Sequence, residues 1–229
     1  MQDNRYSQPI FNALPPAVVA LAFAIFAVEV LLSLGARGII GGQTAIGWRL
    51  QAIQDFAFYA PILPWMIETG NWSIENLQRF VTYPFIHLGF THAAFVIVFL
   101  LALGKLVGEV FGSLAVIVIF FACGVFGALI YAGLVGDDRP LIGGFPSVYG
   151  LIGAYTFVLW VRLRAMGDNE WQAFSLIGFL MGIQLFFGIF FDVGWDWVAE
   201  IAGFVFGFAL TPALVPGAFR RLLARLRQR

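Results

Sequence analysis

Gly143-Gly144-Phe145-Pro146-Ser147-Val148-Tyr149-Gly150-Leu151-Ile152-Gly153-Ala154 is the stretch on which the reading of this chain turns. It follows the polar loop Asp137-Asp138-Arg139-Pro140 and forms a Gly-rich entry into an apolar helix. Pro146 suits a first helical turn, where a missing N–H costs nothing, and small residues at 150, 153 and 154 let a second helix approach closely. Composition sets the solvent for that helix. Of 229 residues, 61% are hydrophobic and 11% charged, against about 45–50% apolar residues in a soluble domain. The chain is therefore expected to be an all-α polytopic membrane protein.

Working outward from residue 143, apolar runs mark six spans. The fourth covers about 145–161 and is stopped by Arg162 and Arg164; the polar turn 164–171 leads to the fifth, about 174–191. A short loop, Asp192-Val193-Gly194-Trp195-Asp196, precedes the sixth, which begins at Trp197. Upstream, the third runs over about 114–136, with Gly124, Gly127 and Ala128 as packing contacts. A turn marked by Lys105, Gly108, Glu109 and Gly112 separates it from the second, about 85–103, which opens with both histidines, His87 and His92. The first span is 15–36, close to the roughly 20 residues a bilayer requires and longer than a signal-peptide core of about 7–15. Glu29 lies inside it and should face other helices or snorkel from near an end. Residues 37–83 hold Trp48, Trp65 and Trp72 and apolar pieces too short to cross, the pattern of a loop lying in the headgroup region. The expected organisation is a cytoplasmic N-terminus over 1–14, a membrane domain over 15–215, and a basic tail over 216–229.

Formal net charge is zero, but its distribution is uneven. With six spans, one side holds nine of the thirteen Lys and Arg residues, at positions 5, 105, 162, 164, 220, 221, 225, 227 and 229. The positive-inside rule puts that side, with both termini, in the cytoplasm. The tail carries five Arg, with Phe219, Leu222, Leu223 and Leu226 at helical spacing. It reads as an amphipathic helix for anionic lipid headgroups, and no nucleic-acid partner is expected. The single Cys123 excludes a disulfide framework. No zinc-like Cys/His set or phosphate-binding Gly-Lys-Ser/Thr loop is found, so no metal or organic cofactor is expected.

Four pieces, in order, resemble the rhomboid intramembrane serine proteases. Arg79 stands eight residues before His87, as in the family's Trp-Arg-x-x-Thr-x-x-x-x-His run, with Gln78 in place of the Trp. The His87/His92 spacing matches the family's histidine pair. Tyr149-Gly150-Leu151-Ile152-Gly153-Ala154 fits the second half of the nucleophile pattern, Gly-x-Ser-Gly-x-x-(Phe/Tyr)-(Gly/Ala)-Leu-x-Gly-Ala. Ala199-Glu200-Ile201-Ala202-Gly203 fits the Ala-His-x-Gly-Gly of the last helix. The resemblance covers about residues 77–210 and implies a six-transmembrane-helix rhomboid-like bundle.

It also shows what has changed. On this register Phe145 stands at the nucleophile, Glu200 at the general base, and Val96 at the Asn that helps hold the oxyanion. Serine hydrolysis needs all three functions. The nearest hydroxyl, Ser147, is two residues late and turned about 200° around a helix. The relict cavity is thus expected to comprise His87, His92, Val96, Phe145, Ser147, Tyr149 and Glu200, with a Glu200–His92 contact filling it and Phe145 plugging its mouth. Donors available to Glu200 are His92, Ser147 and Tyr149. Gly150, Gly153, Gly203 and Gly207 are expected at helix contacts. The resemblance implies a silent relative that binds transmembrane segments of partner proteins in quality control, trafficking or complex assembly, and a multi-pass protein of a bacterial inner membrane. Two alternatives stand beside it: an active endopeptidase using Ser147, His92 and Glu200, and a transporter using Glu29 and Glu200 as proton relays, for which no inverted repeat is visible.

Overall fold

The computed structural model describes residues 13–136, 139–190 and 194–214. The readings made of residues 1–12, Asp137-Asp138, the start of the 192–196 loop and the basic tail lie outside them. Helix α1 spans Pro16–Ala36. The following segment holds a 3₁₀ turn at Gly42–Gly47, helix α2 (Trp48–Phe56), strand β1 (Phe58–Tyr59), and helices α3 (Ile62–Thr69), α4 (Ile74–Leu77) and α5 (Arg79–Thr82). Helices α6 (Phe90–Phe111) and α7 (Ser113–Leu134) come next, then strand β2 (Pro140–Leu141) and helix α8 (Phe145–Met166). A 3₁₀ turn at Glu170–Phe174 leads into α9 (Ser175–Phe190), and α10 is Asp196–Leu214.

Among the described residues six long helices thus lie in the six expected spans, with shifted ends. The second helix starts at Phe90, so His87 lies in the coil ahead of it. It also runs on through Lys105 and Glu109, which face each other one turn apart at 4.0 Å. The turn expected there shrinks to Gly112, whose φ of +85° reverses the chain between α6 and α7. Arg162 and Arg164 do not stop α8. Arg164 stacks over Trp160 and reaches Glu170, and the helix closes on a left-handed Gly167.

Among the described residues, α1, α6, α7 and α10 are long and apolar enough to cross a membrane by themselves. The fourth long helix, α8, is the least apolar of the six by composition, and its residues 146–154 are buried without a break. A helix surrounded by protein does not need a lipid-facing side, which frees its sequence for small and polar residues. Around it, Val18, Leu21 and Ile25 of α1, Leu100 and Leu103 of α6, and Ile119 and Phe120 of α7 form one core.

Gly residues set the distance between α8 and α10. A methyl at Gly203 would meet the Pro146 carbonyl, one at Gly207 the Gly150 carbonyl, and one at Gly153 the Phe204 carbonyl and, at 2.7 Å, the Phe208 nitrogen. Gly150 in turn faces Cys123 of α7. Gly150, Gly153, Gly203 and Gly207 thus each lie against a neighbouring helix.

The 37–83 segment is a built structure. Phe58, Ala60, Met66, Phe80 and Tyr83 form a second core with Ala128 and Tyr131 of α7, Leu141 and Ala199. Strands β1 and β2 pair antiparallel, Phe58 with Leu141 and Tyr59 with Pro140, which ties this segment to the loop entering α8. Its other side exposes Leu50, Ile67, Trp72 and Ile74.

Candidate functional site

The site is assembled from the coil before α6, the first turns of α6, α8 and α10, and the second half of α9. Gly143 has φ +89° and a methyl there would strike the His92 ring at 2.6 Å, so only Gly allows the turn into α8 against that imidazole. Its N–H donates to the Tyr83 carbonyl at 3.0 Å. The neighbouring Gly144 packs against Val96 and donates its N–H to His87 Nε2 at 3.4 Å, while His87 Nδ1 lies 3.3 Å from the Phe85 carbonyl. An acceptor at Nε2 and a donor at Nδ1 assign a neutral His87 with its proton on Nδ1. Burial, aided by nearby His92, pushes this imidazole down to about 4. His87 is a structural brace for the α8 entry.

Phe145 stands where the family pattern has its serine. Its ring stacks on His92 at 5.3 Å and 18°, and meets Tyr149 edge-on at 6.4 Å. His92 meets His87 edge-on at 4.9 Å. The order across the site is His87, His92, Phe145, Tyr149, then Glu200. An aromatic ring separates the histidines from the carboxylate.

The expected Glu200–His92 contact is replaced by another. Glu200, 5% exposed, accepts a hydrogen bond from the amide of Gln184 on α9, and the Tyr149 hydroxyl lies within hydrogen-bond reach. Of the three donors expected for it, Tyr149 is in place. Ser147 points elsewhere, with its hydroxyl buried against Gly124 of α7 and without a hydrogen-bond partner. The helical first turn of α8 produces that direction, so Ser147, His92 and Glu200 are not assembled into a catalytic set. Phe145 is half-buried.

Two polar features were missed from the sequence. One is Gln184, a lone amide in an apolar run; a polar group in a span requires a partner, and that rule was the available signal. The other is Arg49 of α2. It donates to both oxygens of Glu29, at 3.0 and 2.8 Å, to Ser33 Oγ at 3.1 Å and to the His87 carbonyl at 2.6 Å. Ser33 also donates to Glu29 at 2.6 Å. Glu29 therefore faces inward, as expected, and its network joins α1, α2 and the coil before α6. Arg79 Nη1 donates to the Ala57 carbonyl at 2.9 Å, and its guanidinium lies 5.8 Å from the Tyr59 ring centre.

A helical bundle with a buried, glycine-packed fourth helix and a polar site at one end of it defines a multi-pass integral membrane protein of a bilayer. The chain belongs to the rhomboid family: the rhomboid domain is matched over residues 75–217. It is 33% identical over 148 residues to the inactive RHOMBOID-like protein 8 of Arabidopsis thaliana, covering 62% of this chain and 39% of that one. It is 30% identical over 167 residues to the rhomboid protease GluP of Bacillus subtilis, covering 69% of this chain and 30% of that one. The chain thus spans well under half the length of these curated relatives.

Proposed function

We propose that this protein is a catalytically silent rhomboid that binds transmembrane segments of partner proteins without cutting them. The observation that carries the reading is the stack of Phe145 between His92 and Tyr149, with Glu200 beyond it. A serine hydrolase requires a hydroxyl within hydrogen-bond reach of a base and donors for the oxyanion. Here the reacting position is an aromatic ring, the base position is a carboxylate engaged by Gln184, and the position of the oxyanion donor is Val96.

What the bundle keeps is a lateral apolar surface and intramembrane polar groups, the elements by which helices associate in lipid. Quality control, trafficking and assembly of membrane complexes are tasks such binding serves. The charge distribution supports a bacterial inner-membrane topology with both termini cytoplasmic and the Arg-rich tail on anionic headgroups. The organisation that goes with it is a 15–215 membrane domain between the two cytoplasmic ends.

The test is cleavage of a panel of single-span substrates by the protein reconstituted in vesicles, beside Ser147→Ala and protein-free vesicles. Intact substrates that co-purify with the protein are expected. Cleavage abolished by Ser147→Ala would overturn the reading and restore an endopeptidase.

A further inference from the structure

Among the described residues two carboxylates are buried within the long helices, and they are treated differently. Glu29, 1% exposed, has its own cation in Arg49. For Glu200 the polar neighbours are Gln184, Tyr149 and Asp196, two neutral donors and a second acid one turn away on α10. None is cationic. Gln184 meanwhile donates its amide nitrogen to Glu200, and its Oε1 is buried with no hydrogen-bond partner among the described residues. With Glu200 ionised, its charge is therefore met only by neutral donors among the described residues, one turn inside the end of α10.

We infer that Glu200 and Gln184 form a recognition subsite for a cationic side chain, Lys or Arg, carried inside a partner's transmembrane segment. The inference rests on the transmembrane-binding reading above and adds the chemistry of the bound segment. An ammonium or guanidinium is all donor. Placed here it gives Glu200 the counter-charge it lacks and gives Gln184 Oε1 its first partner. The two groups sit on separate helices, so a single entering side chain bridges α9 and α10. Alongside, α9 meets the core through Ile177, Leu180 and Met181 and turns Phe179, Ile183 and Phe186 outward, an apolar face for the rest of the segment. The uncharged stem of Lys or Arg packs against such a surface while its head reaches the acceptors.

The full chain in vesicles would be titrated with two labelled single-span Leu/Ala peptides, identical except for Lys or norleucine about one turn inside the end that enters beside Glu200. Energy transfer from protein to peptide reads binding. The Lys peptide is expected to bind about tenfold tighter than the norleucine peptide, and Glu200→Gln to erase that preference. A diazirine beside the Lys is expected to label residues 175–210, a readout that holds even if Glu200→Gln does not fold. Equal binding of the two peptides overturns the subsite and leaves the transmembrane-binding reading standing. No binding of either above partition into protein-free vesicles overturns that reading. A Lys preference that survives Glu200→Gln, or labelling confined to other helices, overturns the assignment to this pair.

Discussion

Replacing Arg49 with Leu tests whether the buried ion pair holds the N-terminal third of the chain to the site. Arg49 supplies four hydrogen bonds: two to Glu29, one to Ser33 and one to the His87 carbonyl. In Arg49→Leu, Glu29 remains almost fully buried with Ser33 as its donor. Breaking a buried pair by removing one partner costs about 3–5 kcal/mol, because the other charge is left uncompensated. The Arg49 side chain is 19% exposed, so some water reaches the pair and the lower end, about 3 kcal/mol, is expected. The double variant Glu29→Leu/Arg49→Leu has no charge to strand. It still deprives Ser33 and the His87 carbonyl of a donor, leaving a loss of about 1 kcal/mol. Relief of about 2 kcal/mol on adding the second substitution is the signature. Equilibrium unfolding in mixed micelles can be read from labelling of Cys123, the only cysteine, which is fully buried between α7 and α8. An Arg49→Leu variant within 0.5 kcal/mol of the parent, roughly the range of ordinary surface changes, would refute the argument. So would a double variant no better than the single.

Four further outcomes are expected from the same unfolding assay. Gly203→Ala drives a methyl into the Pro146 carbonyl and should cost about 1–3 kcal/mol by overpacking; Gly133→Ala, on an exposed face of α7 with nothing within 4 Å, should instead gain up to about 1 kcal/mol in helix propensity. Ser147→Ala removes a buried hydroxyl that has no partner, so stability should be unchanged or rise by up to about 1 kcal/mol. His87 is neutral when folded and titrates near 6.5 when unfolded, so its contribution is complete above pH 6.5 and declines as the pH falls toward 4. The parent should lose about 1–2 kcal/mol between pH 7 and 5 that His87→Asn does not lose, compared at the two pH values.

The helices were legible because a bilayer asks for one property, length of apolar run, and six runs supply it. Their ends were less so. Pro84-Phe85-Ile86 is apolar enough to extend the second span backward, yet the helix waits for Gly89, whose extended backbone separates the His87 brace from α6. Lys105 and Glu109 read as a turn because each is charged; one turn apart they pair and the helix continues. At the site, the family register located His87, His92, Phe145, Tyr149 and Glu200, and a 3.6-residue repeat was sufficient to turn Ser147 away. The partners of the acids were hidden for a geometric reason. Arg49 lies 20 residues from Glu29 and Gln184 lies 16 from Glu200, each beyond a chain reversal, so no helical or strand period connects them.

The matched family segment begins at residue 75, but the folding unit begins earlier. Val18 of α1 occupies the notch at Gly104, Pro15 covers Gly108, and Phe58 completes a ladder with Leu141. A chain cut at 75 would expose these sockets to lipid and leave the carbonyl of His87 without its guanidinium. Recombination among relatives of this protein should therefore carry residues 13–74 along with the helices they brace, and chimeras joined at 75 should inherit the sockets of one parent and the plugs of another.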